Sequence, residues 1–167
     1  MPSLRVFVNA LDLAAYRRVR SLAHTPEAVR WVRRYSRLGE HSSIWLAVGA
    51  VGTGVDAARR GRWARATVCV GGAYVVSTSI KLAIGRRRPV IEDLPHLMAT
   101  PTGLSFPSSH STSSFAAARA FGRLLPPGPL YGAAGAMAFS RLYLGVHYPS
   151  DVAAGAALGV LIGSLGR

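Results

Sequence analysis

The chain has 167 residues, half of them hydrophobic and 16% charged, with a formal net charge of +13. That length suits one domain rather than two, and the charge content falls well below the roughly 25% of a soluble domain. So large a cationic excess on so apolar a chain points to a membrane surface or an anionic lipid, and away from nucleic acid. Nineteen of the twenty basic residues are arginine, and the sole lysine is Lys81. Cys69 is the only cysteine. This argues against a disulfide framework or a thiolate metal site, and its apolar surroundings make it a small core hydrophobe.

Residues 5–37 carry eight arginines, with apolar residues between them at near-helical spacing. Leu13, Tyr16, Val19 and Leu22 fall on one face, and Val29, Trp31, Val32 and Tyr35 form a second cluster. Thr25 is placed to cap a helix that Pro26 opens. The stretch from Val6 to Tyr16 is broken by Asn9 and Asp12 and does not read as a signal peptide. Neither part is apolar enough to span a bilayer, so two amphipathic helices lying in the interface are expected. Residues 1–41 thus read as a basic N-terminal segment, and 42–167 as a membrane-embedded domain.

Five apolar runs follow, at about 43–57, 66–85, 108–125, 130–143 and 149–165. A spanning helix takes about 20 residues, so several of these are short. Trp45 suits an interfacial anchor. Arg59, Arg60, Arg62 and Arg65 form a basic loop between the first two runs. The last run is rich in Gly and Ala, a composition that lets membrane helices approach closely and would suit pairing with a second copy. The expected fold is therefore all-α: a polytopic membrane helical bundle of about five spanning helices.

Counting crossings puts residues 81–110 and 141–151 at the same membrane face, with the basic loop 59–65 and Arg123 at the other. Ionisable residues at membrane depth are functional candidates by default. The first cluster on that face is Lys81 with Arg88 and Pro89. The second is Pro107-Ser108-Ser109-His110, which opens a helix, with Ser108 as its cap. Helix N-termini hold unpaired N–H groups that bind phosphate. The third is Ser140-Arg141, then His147 and Asp151. Asp151 follows His147 by four, so a short turn brings its carboxylate to one ring nitrogen and leaves the other free.

Three cations beside a helix N-terminus make a phosphate pocket and would repel a divalent metal. Glu92, Asp93 and His96 are the alternative metal ligands, without a recognised spacing. In the phosphate reading, Lys81, Arg88 and Arg141 hold phosphoryl oxygens. His147, oriented by Asp151, attacks phosphorus, and His110 protonates the leaving lipid oxygen.

These three clusters resemble the type 2 phosphatidic acid phosphatase superfamily. A lysine, six residues and Arg-Pro match Lys81, Arg88 and Pro89. A Pro-Ser-Gly-His element matches Pro107 to His110, with Ser109 where glycine is common. Ser-Arg, five residues, His, three residues and Asp match Ser140, Arg141, His147 and Asp151. The resemblance covers about residues 42–166. It implies a helical bundle and hydrolysis of a lipid phosphomonoester or diphosphate with no metal and no cofactor. It also implies a phosphohistidine on His147, His110 as acid, and phosphate binding by Lys81, Arg88, Ser109 and Arg141. Pro89, Pro107, Ser108 and Ser140 have supporting places.

Size and style resemble small bacterial members acting on polyprenyl carriers, with decaprenyl-phosphoryl-phosphoribose, undecaprenyl diphosphate and phosphatidic acid-type lipids as candidate substrates. A lipid phosphotransferase sharing the covalent step is the first alternative, and a non-enzymatic anion- or lipid-binding membrane protein the second. The face with the site carries thirteen of the twenty basic residues. Positive-inside counting would place that face in the cytoplasm, whereas relatives acting on carrier lipids face outward. Placement in the cell membrane is expected, with the side left open.

Overall fold

The structure, a computed structural model, describes residues 4–167, with side chains from residue 9 onward. Residues 1–3, where the expected N-terminal segment begins, lie outside the described residues. The described residues form an all-helical bundle: α1 (Leu4–Arg20), α2 (Pro26–Leu38), α3 (Ser43–Val55), α4 (Arg60–Ile84), α5 (Ser109–Phe121), α6 (Pro127–Tyr143) and α7 (Pro149–Gly163). Two of them are long and apolar enough to cross a membrane: 57–84, which includes α4, and 149–166, which includes α7.

The expected helices are all present, with one boundary that differs in kind. Arg60, Arg62 and Arg65 are not a loop but the first turns of α4. Arginine is a good helix former, and Trp63 anchors these turns by packing on Phe121, with ring centroids 5.4 Å apart. The Trp63 indole N–H also donates to the Asp56 carboxylate at 3.0 Å. Asp56 further accepts from the Arg59 backbone N–H at 3.2 Å and so closes the turn between α3 and α4. The Trp63 hydrogen bond, and after it the Arg59 guanidinium 2.6 Å away, hold the Asp56 carboxyl below the usual carboxylate range.

Helix α5 is the hub. Its residues Ser111–Ser114, Ala116–Ala118, Ala120 and Phe121 are all buried, which its small side chains permit. Helix α7 lies against it through Gly155, Gly159 and Gly163, spaced by four so that they share one face. A Cβ at Gly155 would sit 2.7 Å from the Ser108 carbonyl oxygen, and one at Gly163 would sit 2.6 Å from that of Ala116. The glycine face that suggested pairing between copies is thus used within the chain. Gly159→Val is expected to lower detergent-solubilised stability by about 1–3 kcal/mol or more through overpacking against α5 backbone. Gly132→Val, where an added Cβ meets nothing within 4 Å, is the control; equal melting temperatures would refute this account.

Read from the sequence, α1 lies in the interface, and which of its residues meet the bundle is left open. Among the described side chains of α1 the buried ones are Asp12, Tyr16 and Arg20, an i, i+4, i+8 stripe, while Leu13 and, past the helix end, Leu22 are exposed. These polar groups reach backbone and side chains at one end of the bundle, where hydrogen-bond partners repay their burial. Tyr16 donates to the Gly145 carbonyl at 3.1 Å, and Arg20 donates to the carbonyls of Tyr143 at 3.0 Å and Pro95 at 2.8 Å. Gly145 has φ +73°, and a Cβ there would meet the Tyr16 hydroxyl at 2.8 Å, so the turn needs glycine on both counts. Thr25 caps α2 as expected, accepting from the Ala28 N–H.

Candidate active site

Residues 81–110 and 141–151 meet at one end of the bundle, as the crossing count requires. The C-terminal turns of α4 and α6, the N-terminus of α5 and the turn before α7 all converge there. A cavity of about 100 Å³ is lined by Lys81, Arg88, Ser109, His110, Arg141 and His147. Every residue singled out for phosphate contact or proton transfer reaches this one space, except Asp151, which stands behind His147. Glu40 and His41 close part of the rim, and Tyr74 and Thr78 of α4 complete the wall.

Each cation is held in place by neutral oxygens, so its charge stays available. The Lys81 amine donates to the Pro107 carbonyl at 2.9 Å and lies 3.4 Å from that of Ser105. Arg88 donates through Nε to the Thr102 carbonyl at 2.9 Å and through Nη1 to that of Val146 at 2.6 Å. Arg141 is 2% exposed, donates through Nη1 to the Ser36 hydroxyl at 2.5 Å, and leaves its Nε with no partner. Three buried cations without carboxylate partners are costly for a protein by itself and suit an anionic ligand. Burial lowers the Arg88 pKa to about 10, where the group is still charged at neutral pH.

Arg88 Nη1 also lies 3.0 Å from His147 Nε2. A guanidinium only donates, so Nε2 is the bare, accepting nitrogen, and the ring proton belongs on Nδ1. Burial pushes the His147 pKa well below the ordinary histidine value, with Arg88, Arg141 and Lys81 adding to the shift. The imidazole is therefore neutral, with its Nε2 lone pair turned to Arg88, which donates to it.

The expected His147–Asp151 pairing needs a correction in detail. Nδ1 lies 3.4 Å from Asp151 Oδ2 and makes no hydrogen bond. Oδ2 instead accepts from the Tyr148 backbone N–H at 2.9 Å, because Asp151 is the third residue of α7 and caps its start. The other oxygen, Oδ1, accepts from Arg86 Nη1 at 2.8 Å. Ser108 caps α5 as expected. Ser140 turns its hydroxyl back to the Met137 carbonyl at 2.6 Å and does not line the cavity. Pro89 and Pro107 are fully buried beside the site.

The alternative ligand set does not assemble. Asp93 pairs with Arg17 at 2.9 Å, and His96 Nε2 lies 2.5 Å from the Pro89 carbonyl oxygen. Among the described residues, no three His, Cys, Asp or Glu side chains are grouped to hold a metal ion.

Residues 62–166 match the PAP2 superfamily model. The chain belongs to the PAP2 superfamily. A decaprenylphosphoryl-5-phosphoribose phosphatase from Mycobacterium tuberculosis H37Rv is 37% identical over 154 residues, 87% of this chain and 82% of that protein. Its namesake from Mycolicibacterium smegmatis is 38% identical over 144 residues, 81% of this chain and 75% of that one. Among solved structures, a transmembrane PAP2-type phosphatidylglycerolphosphate phosphatase from Bacillus subtilis superposes with a TM-score of 0.78. It is 26% identical, with 95% of this chain and 84% of that one covered. Aquifex aeolicus LpxE shares the fold, with a TM-score of 0.80 at 24% identity, covering 93% of this chain and 94% of that one. The chain is thus a membrane lipid phosphatase of the PAP2 type.

Sequence reasoning missed four contributors. Arg86, Ser36 and Glu40 carry no role in the sequence reading, and Asp12 enters it only as a polar break in α1. The one available signal was the Asp12, Tyr16, Arg20 spacing, a polar stripe on a helix otherwise read by its apolar residues.

Proposed function

We propose that this PAP2 phosphatase removes a terminal phosphate from a polyprenyl-linked lipid through a phosphohistidine on His147. The observation that carries the chemistry is the bare His147 Nε2 facing a cavity lined by Lys81, Arg88 and Arg141. In the first half-reaction, Nε2 forms a bond to phosphorus while the bond from phosphorus to the lipid oxygen breaks. His110 gives its proton to that oxygen. In the second half-reaction, water attacks phosphorus, His110 takes up its proton, and the P–N bond breaks to release inorganic phosphate. Lys81, Arg88, Arg141 and the α5 N-terminus, with Ser109, bind the equatorial oxygens and stabilise the charge that develops there. No step in this sequence uses a metal or a cofactor.

The polyprenyl preference rests on the two mycobacterial relatives, which share more than a third of their residues with most of this chain. In the membrane, α3–α7 form five crossings. The exposed Val51, Val68, Val75, Leu82 and Leu161 supply an apolar belt. Helices α1 and α2 lie in the interface at the end that holds the site, with Leu11, Leu13, Leu22 and Trp31 turned outward to lipid. Phosphate release from phosphatidic acid, a polyprenyl monophosphate, a polyprenyl diphosphate and decaprenylphosphoryl-5-phosphoribose, in detergent with excess EDTA, tests the reading. Turnover that survives EDTA and is fastest on a polyprenyl substrate is the expected result. Loss of turnover in EDTA with recovery on adding a divalent ion would overturn the mechanism. Preference for phosphatidic acid would overturn the substrate class.

A further inference from the structure

Helix α1 lies outside the residues matched by the family model, which begin at 62. Yet one of its side chains is wired into the residues behind His147. Asp12 is 4% exposed, and its Oδ2 lies 2.7 Å from Arg86 Nη2. Arg86 Nη1 reaches Asp151 Oδ1 at 2.8 Å and the Ser150 hydroxyl at 2.7 Å, and the guanidinium stacks on Tyr148, 4.3 Å from the ring centroid. Asp12 also accepts from the Ser150 backbone N–H at 2.8 Å and from its hydroxyl at 2.5 Å. The result is a continuous chain from Asp12 through Arg86 and Asp151 to the 3.4 Å approach at His147 Nδ1.

We infer that Asp12 and Arg86 are positioning residues for the phosphohistidine step proposed above, on which this inference rests. When Nε2 takes up phosphorus, the ring becomes cationic, and Nδ1–H must close on Asp151 Oδ2 as a charge-assisted hydrogen bond. That closure requires a carboxylate of set plane and retained negative charge. Arg86 sets the plane by holding Oδ1. Left alone, its positive charge would also draw on Asp151 and weaken what Asp151 offers the imidazole. Asp12 divides that pull by supplying a second carboxylate to the same guanidinium, and its bonds to Ser150 tie the arrangement to the first turn of α7. Arg86 is not among the cavity-lining residues, so the pair acts through Asp151 and not on substrate.

The test is steady-state kinetics of the full chain in detergent micelles on a polyprenyl monophosphate. Asp12→Asn, Arg86→Gln and Arg86→Lys are compared in the native and the Asp151→Asn backgrounds, with His147→Ala as reference. Asp12→Asn and Arg86→Gln should each lower kcat by about 10- to 100-fold, by analogy with the carboxylate partners that orient metal-bound histidines. KM should stay within about twofold, and Arg86→Lys should recover part of the loss. With Asp151 already changed, neither substitution should cost more than about twofold, because residues acting through one group are non-additive. Size exclusion and melting temperature report folded protein, and a purely structural defect would lower activity equally in both backgrounds. Such equal losses, or wild-type kcat in Asp12→Asn, would overturn the inference while leaving an inactive His147→Ala and the phosphohistidine reading intact. An active His147→Ala would remove both.

Discussion

Replacing His147 with alanine is expected to abolish lipid phosphate hydrolysis, with kcat falling by roughly six orders of magnitude, as when a nucleophile or its base is removed from a covalent mechanism. The cations and the α5 N-terminus remain in this variant, so substrate still binds and KM changes little. The wild-type enzyme, quenched in mid-turnover with a lipid labelled on its terminal phosphate, should carry acid-labile, base-stable label on protein. His147→Ala should carry none. The structure supports this division of labour because His147 Nε2 lies 3.0 Å from Arg88 Nη1, while Nδ1 faces Asp151. A variant that keeps turnover within tenfold of wild type would place the nucleophile elsewhere in the cavity, with His110 the first residue to replace.

Arg88→Ala carries the second largest expected effect. Arg88 projects its charge into the cavity beside Lys81 and Arg141, and it also donates to the Nε2 lone pair from 3.0 Å, a contact given for neither of the other two. Removal of one such donor from a preorganised anion site costs about 3–4 kcal/mol of transition-state stabilisation. A loss of roughly 10²–10³ in kcat/KM is therefore expected. Arg88→Lys should recover little of it, because one ammonium cannot hold the Thr102 and Val146 carbonyls and still meet both ring and phosphate. Inorganic vanadate, as a phosphate mimic, should inhibit the Arg88→Ala protein correspondingly weakly. Wild-type sensitivity to vanadate in that variant would mean that Lys81 and Arg141 alone hold the anion.

The three motif clusters were legible in the sequence because the residues within each are close along the chain and all three reach one cavity. Lys81 with Arg88, His110 with the helix start at Ser108, and Arg141 with His147 each lie within a few turns of one helix or loop. Spacing along the chain therefore encodes their geometry directly. The all-helical fold was legible for the same kind of reason, from long apolar runs interrupted by proline and glycine. The basic loop was misjudged because a run of arginines looks alike in a solvated turn and in the opening turns of a helix. Only Trp63 packing against Phe121 distinguishes the two.

What the sequence determined by itself was thus the helical class, the family and the residues that line the cavity, since local periodicity and motif spacing specify all three. The tertiary structure decided the surroundings of His147. Asp12 and Arg86 are 74 positions apart, and Arg86 and Asp151 are 65 apart. Their meeting depends on which face α1 turns toward the bundle. An arginine-rich amphipathic helix lying in an interface offers both an apolar and a polar face, and periodicity alone does not say which residues of it meet the bundle. The polar face turned inward because the carbonyls of Tyr143 and Gly145, the Ser150 N–H and Arg86 were there to satisfy it. That is a property of the assembled bundle and not of the helix.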